Sequence, residues 1–426
     1  MKLLNSLQDS QYKAQVYDSF YLFIFNGMNQ LLPLVVIPYL MVVLGAEGYG
    51  YIGFATALCN YFVLIVDFGF NLSATKAVAI AFEKKNQEEL SRIFYSTLLS
   101  KLLLLLLSIV LFIPICFGIP QFRSYSITTL CMFPLVLSNV FTFAWLYQGI
   151  GKIKILSVIN TVVKFLILPL IFILVKSNSD YNIAALIQSG VYLAGAAVST
   201  ILIRKYVSIR FVRIKWSDIK KSIKESWPLF LSSVATSVYT QLFTLILAYF
   251  SPATVVGKYS AAERIMRSCC FMIYSPISQA FYPKVAALGS VDIQKAKMLL
   301  NKLFSGVLLV MTMLAICFLL FADVISDFLG KGYEDISTLL RIIALTPIPI
   351  ALGGIAGQMG LIALGNDTSK MHFIGAYWKS VMISLPVVCI LTYMFNEIGT
   401  AVSMMLTEFI VFFFMAFYYK KDSKCY

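Results

Sequence analysis

Charge is scarce in this chain: 13% of its 426 residues are Asp, Glu, Lys or Arg, against 60% hydrophobic. Soluble globular domains carry roughly twice that charged share, and the mean hydropathy of +0.84 places the chain among polytopic membrane proteins instead. Acids are the scarcer sign, 20 against 34 Lys and Arg, for a formal net charge of +14. In a soluble protein that surplus would raise nucleic acid as a partner; in so apolar a chain it asks which side of the membrane holds the basic loops. Histidine occurs once, as His372, so no histidine-built metal centre is available, and the residue reads as interfacial packing. The eight cysteines form no CxxC pair, and seven of them sit in apolar runs, where they read as small packing residues. No P-loop appears in any loop, which excludes ATP hydrolysis on this chain, and no cofactor is expected. The amino-terminal MKLLNSLQDSQYKAQ lacks the apolar core of a signal peptide and reads as a retained surface helix.

What the chain has in quantity is long apolar runs. A hydrocarbon layer of roughly 30 Å needs about 20 residues of helix to cross it. Twelve runs of that order recur, at 17–44, 49–70, 93–118, 125–148, 153–175, 181–203, 227–250, 258–284, 300–322, 336–364, 372–395 and 398–419. The fold class is therefore an all-α polytopic membrane protein of about twelve transmembrane helices. Lys and Arg gather in alternate loops: Lys84, Lys85 and Arg92; Lys152 and Lys154; Arg204 to Lys224; Lys295 to Lys302; Lys370; and Lys420, Lys421 and Lys424. The positive-inside bias puts these loops, and both termini, in the cytoplasm. Trp145, Tyr147, Trp227 and Tyr249 read as belt or lipid-facing aromatics. Prolines at 38, 134, 169, 347 and 386 interrupt spans and are candidate hinges.

The basic stretch 204–226 separates six spans from six, which divides the chain into an amino-terminal lobe at 1–203, a cytoplasmic linker at 204–226 and a carboxy-terminal lobe at 227–426. GAEGYGYIGFA at 45–55 resembles PATVVGKYSAA at 252–262, with Ala46, Gly50 and Ala55 matching Ala253, Gly257 and Ala262. Each half begins and ends on the same side, so the repeat is parallel, about an axis along the membrane normal.

Against this apolar background the intramembrane charges stand out, because an ionised group in hydrocarbon costs several kcal/mol. Four cations stand out within the spans: Lys164, Arg264, Arg267 and Lys379. Lys164 lies about 11 residues into its span, or ~16 Å along a helix, near mid-membrane. Glu263 and Arg267, four apart, can pair on one helix face, leaving Arg264 without a local carboxylate. These cations either snorkel or pair structurally, or they face a cavity whose positive potential favours phosphate or pyrophosphate. Asp67, Glu263 and Glu408 are the acids within or beside spans and are candidates for ion coupling; Asp67 has a helix-terminal contact as its plainer alternative.

The stretches LGAEGYGYIGFA, VDFGFNLSATKAVA, WLYQGIGKIK and VVGKYSAAERIMR followed by SQAFYPKVA resemble the O-antigen flippases of bacterial polysaccharide synthesis (Wzx type), within the multidrug/oligosaccharidyl-lipid/polysaccharide exporter superfamily. The resemblance implies two six-helix lobes around a cationic central cavity, in the bacterial inner membrane. It implies that undecaprenyl-pyrophosphate-linked oligosaccharide passes from the cytoplasmic to the periplasmic leaflet by alternating access, for lipopolysaccharide synthesis, with a polymerase or chain-length protein as a further partner. Arg264, Asp67 and Lys76 carry over from the family pattern; the family usually has arginine where this chain has Lys76, so a point charge replaces a two-pronged grip there. Two other readings are a multidrug cation antiporter, which four intramembrane cations disfavour, and a membrane polymerase or acyltransferase, which needs larger external loops than this chain has.

Overall fold

The computed structural model describes residues 2–330 and 332–423, with side chains from residue 35 onward apart from those at 232, 235, 236, 238, 239 and 290. Lys424 and the two terminal residues lie outside it. Among the described residues the chain is helical, with no strand.

The first helix, α1 (Lys2–Asp67), runs without interruption from the expected surface segment into the first span and then breaks at Gly45, where φ is 63° and ψ −179°. Glycine takes such a conformation without the Cβ clash that other residues incur. Ile37 and Asn60, on either side of the break, line one cavity; a straight helix would hold them roughly 35 Å apart, so α1 is a hairpin of two crossings. After α2 (Phe70–Glu83), α3 (Gln87–Ile113) forms the third span. The fourth is assembled from α4 (Ser126–Met132), α5 (Pro134–Phe141) and α6 (Ala144–Gly149), the fifth from α7 (Ile153–Ile167) and α8 (Pro169–Leu174), and the sixth is α9 (Tyr181–Ile203).

The second half repeats the plan with α10 (Trp216–Phe250), α11 (Ala253–Val291) and α12 (Ile293–Leu329). The tenth span joins α13 (Ile336–Ile343), α14 (Pro347–Gly354) and a π-helical stretch (Ile355–Ala363). The last helix, α15 (Asp367–Asp422), turns back at Asn396, whose φ is 49° and ψ −127°. The Thr392 and Thr400 hydroxyls, eight residues apart, hydrogen-bond at 2.9 Å across that turn, and Ser251 Oγ donates to Asn396 Oδ1 at 3.0 Å. Eight helical stretches are long and apolar enough to cross a membrane. Two of these are the hairpins, and α10 and α11 pack in the same bundle, which accords with about twelve crossings.

The core between the spans is apolar with small hydroxyls set into it, and the outward faces are apolar as well. On α3, Ser91, Ser96, Ser100 and Ser108 are buried while Leu106 and Val110 are 59% and 65% exposed. Small hydroxyls let neighbouring helices approach and bond back to their own backbone, as Ser100 Oγ does to the Ser96 carbonyl at 2.7 Å, while the branched apolar residues face lipid. Of the prolines expected to interrupt spans, Pro134, Pro169 and Pro347 each open a new helical segment, where a missing N–H costs nothing. Pro38 and Pro386 lie inside continuous helix. Trp145 and Tyr147, expected at the membrane interface, are instead fully buried, with Tyr147 Oη donating to the Ser199 carbonyl at 2.7 Å; Trp227 and Tyr249 are exposed.

The basic connections gather at one end of the bundle. There Gln87 Nε2 donates to Ser208 Oγ, the Arg210 amide donates to Ser91 Oγ, and Lys297 Nζ donates to the Ser423 carbonyl. Only the first part of the expected 204–226 linker is a connection; its remainder is the start of α10, nucleated by Asp218 accepting from the Lys215 amide at 3.0 Å. At the opposite end Tyr39 Oη donates to the Val175 carbonyl at 2.7 Å, and Lys258 on α11 pairs with Asp335 at 2.8 Å.

Near that opposite end the two halves cross on their repeated motif. A Cβ added at Gly50 would lie 1.9 Å from the Ala253 carbonyl oxygen, and one added at Gly257 would lie 1.7 Å from the Ala46 carbonyl oxygen. The two contacts are each other's image under the sequence match of Ala46 and Gly50 with Ala253 and Gly257. Glycine at both positions lets backbone meet backbone.

Candidate binding cavity

One turn beyond the crossing the α1 hairpin and α11 part. Gly53 still touches α11, since a Cβ there would meet Ser260 Oγ at 2.5 Å. Past it a cavity of about 380 Å³ opens between the halves. Its α11 wall carries Glu263, Arg264 and Arg267, and its α1 wall carries Thr56, Ala57 and Asn60. Gln188 from α9, Thr240, Gln241 and Thr244 from α10, and Ser260 from α11 add to the polar lining.

The charges on the α11 wall are arranged by helix geometry. Glu263 and Arg267 stand one turn apart and pair at 2.9 Å through Nε, while Arg267 Nη2 reaches Glu408 on α15 at 3.3 Å. Arg267 therefore spans two carboxylates, one of them almost wholly buried, and this is the bonding that makes a buried charge tolerable. Arg264 is rotated about 100° from Glu263 around the helix axis. It is exposed, lines the cavity, and makes no ion pair or hydrogen bond among the described residues. Counted together, Glu263 and Glu408 balance two guanidinium groups, and both carboxylates are bonded to Arg267. Among the described residues, Arg264 is the lining guanidinium that no carboxylate holds.

The remaining residues picked out from the sequence lie elsewhere. Lys164 is half-buried on α7 and Lys76 is exposed on α2; neither lines the cavity. Lys379 on α15 donates its Nζ to the Tyr418 hydroxyl and lies 5.0 Å from that ring's centroid. His372 stacks on the same Tyr418 ring, centroids 4.5 Å apart, and bonds Asp422 at 2.9 Å. Asp67, at the end of α1, pairs with Lys101 at 3.4 Å. Thus Glu263, Arg264, Arg267 and, through Arg267, Glu408 are brought together, while Lys76, Lys164, Lys379 and Asp67 are not part of that group.

Lys101 is a further cation within an expected span, that at 93–118. It is 1% exposed, and beyond Asp67 its Nζ donates to the Asn139 carbonyl at 3.3 Å and to Asn139 Oδ1 at 3.1 Å. The signal was present, a lysine inside the run LLSKLLLLLL. Asn60 and Gln188, amides inside apolar spans, were equally readable.

Outside the spans, the Lys258 ammonium beside Asp335 holds that carboxyl below its ordinary value of 3.8, and amides of Lys176 and Ser177 do the same for Asp180.

Residues 16–289 match the family described as Polysaccharide biosynthesis protein. The chain is 30% identical over 405 residues to a Shigella dysenteriae protein named "Putative O-antigen transporter", covering 92% of this chain and 97% of the relative. A protein of the same name from Escherichia coli (strain K12) is 29% identical over 392 residues, covering 92% and 93%. Two solved structures share the fold. One is titled as the inward-facing conformation of a multidrug resistance MATE family transporter of the MOP superfamily, with TM-score 0.72, 14% identity and coverage of 93% of this chain and 95% of that one. The other is titled as the lipid II flippase MurJ in an inward closed conformation, with TM-score 0.71, 15% identity and coverage of 94% and 89%. The fold is therefore the two-lobed bundle of those transporters, and the chain belongs to the polysaccharide biosynthesis protein family.

Proposed function

We propose that the protein is a flippase that carries an oligosaccharide linked through pyrophosphate to undecaprenol from the cytoplasmic to the periplasmic leaflet of the bacterial inner membrane, by alternating access. The observation that carries this reading is Arg264: a guanidinium facing a partly open cavity between the lobes with no carboxylate of its own among the described residues, in a chain whose full-length relatives are named O-antigen transporters. A phosphate oxygen is the ligand such a group favours, because guanidinium can hold two oxygens at once. With the basic end in the cytoplasm, the Gly50 and Gly257 crossing closes the periplasmic end and the cavity lies on its cytoplasmic side.

This reading makes the protein a transporter rather than an enzyme. A cation antiporter needs a carboxylate free to meet its substrate, and here Glu263 and Glu408 are both bonded to Arg267. Asp67 is likewise held by Lys101, so the carboxylates considered for ion coupling are assigned to positioning. Surface polysaccharide in a deletion strain is the test. The parent gene should restore it, Arg264→Ala should not, and Arg264→Lys should restore part of it; full restoration by Arg264→Ala would refute the assignment.

A further inference from the structure

The reciprocal contact of Gly50 with Ala253 and of Gly257 with Ala46 fixes the register of the internal repeat in space. Carried about two and three turns further, that register sets Thr56, Ala57 and Asn60 opposite Glu263, Arg264 and Arg267, and all six line the cavity. The two walls are therefore the same piece of architecture with different chemistry. Every charged residue of the lining is on α11, and every counterpart on α1 is neutral.

We propose that the walls divide the head group between them: α11 takes the phosphate end through Arg264, and Thr56 and Asn60 of α1 with Gln188 of α9 bind the first sugar after it. This deepens the flippase reading and rests on it. A wall meant for a second phosphate would need cations of its own, whereas neutral amides and hydroxyls both donate and accept, as sugar hydroxyls and acetamido groups require. Gln188 supplies a second, independent observation. The residue lines the cavity and its Nε2 is buried with no hydrogen-bond partner among the described residues, and native proteins rarely leave such donors orphaned unless a ligand or water meets them. Size agrees: about 380 Å³ lies near the lower end of the roughly 300–1,000 Å³ of small-ligand sites. That is room for phosphates and about one ring, with the rest of the glycan extending toward the basic end.

The test uses the purified full-length protein and three probes: farnesyl pyrophosphate, and the same lipid pyrophosphate carrying one N-acetylhexosamine or one hexose. Binding of a sugar-bearing probe to the parent protein should be roughly fivefold tighter or better than binding of the bare pyrophosphate, as one or two neutral hydrogen bonds give. The Asn60→Ala, Gln188→Ala double variant should lose that ratio while binding farnesyl pyrophosphate within twofold of the parent, which also reports that it is folded. Gln188→Met, close in shape but without the amide, should lose part of it. A parent protein with no preference for either sugar-bearing probe, a double variant that keeps the ratio, or one that loses all three probes alike would each overturn the proposal. Failure of the flippase reading looks different: Arg264→Ala would then bind farnesyl pyrophosphate as the parent does.

Discussion

Gly50 and Gly257 face each other across the crossing: a Cβ on Gly50 would lie 1.9 Å from the Ala253 carbonyl oxygen, one on Gly257 would lie 1.7 Å from that of Ala46, and each would lie 2.9 Å from the other glycine's amide nitrogen. Backbone oxygen cannot swing aside as a flexible side chain can. Substituting leucine at either glycine should therefore separate the lobes at this end, at about 1–3 kcal/mol of overpacking strain, and abolish transport. A cysteine at Asn60 should become more reactive to an impermeant thiol reagent added from the periplasmic side; unchanged labelling would mean that the crossing is not a closure.

The basic end holds the lobes by a different contact. Ser73 Oγ and Ser226 Oγ lie 2.6 Å apart, between α2 and α10, and Phe68 stacks on Phe230 with ring centroids 4.4 Å apart. Cysteines at Ser73 and Ser226 are close enough to bridge. Oxidation should then stop transport, and reductant should restore it to the level of the single variants. Full transport by the oxidised, cross-linked protein would show that these helices do not separate during the cycle.

Lys101 is buried with Asp67 as its counter-ion. Lys101→Met should destabilise the protein by about 2–4 kcal/mol, because a half-buried carboxylate is left unpaired, and the double change with Asp67→Asn should recover most of the loss. Thermal unfolding in detergent checks this; additive losses in the double variant would contradict the pairing.

Much of this arrangement was legible in the sequence, and the parts that were not share a cause. The Glu263 and Arg267 pair follows from a spacing of four on one helix, and the Ala46/Gly50 and Ala253/Gly257 match was readable because the crossing needs small residues at those positions. The turn at Asn396 fell between two expected spans. The contact of Arg267 with Glu408 was hidden, since it joins α11 to α15 and depends on how those helices rotate against each other. The same dependence explains why Lys164 and Lys379, at plausible depths in their spans, do not line the cavity: depth is set by sequence position, whereas facing is set by packing. The intramembrane charges of α11 also lower its hydropathy, so the helix richest in functional groups is absent from the eight spans that apolarity alone selects.

At the opposite end Lys258 pairs with Asp335 at 2.8 Å, and the lysine depresses the carboxyl from 3.8. A lowered folded-state value stabilises above the unfolded value and is lost as pH falls through the lowered one. Asp335→Asn should therefore reduce stability at pH 7, and the difference from the parent should shrink as the pH falls below 3.8. The difference should stay below about 1 kcal/mol, because Asp335 is exposed and screened. Equal melting curves at pH 7 in low salt would remove the contact from the account.

Among the described residues Arg264 is the one charge of the cavity lining with no ion pair or hydrogen bond, and it is the group proposed to hold a lipid-borne phosphate. The most direct measurement of that role is the affinity of the purified protein for farnesyl pyrophosphate, compared between the parent and Arg264→Ala. A charged hydrogen bond or two should make the variant weaker by roughly 10- to 150-fold, with Arg264→Lys between them; equal affinity in parent and Arg264→Ala would contradict it.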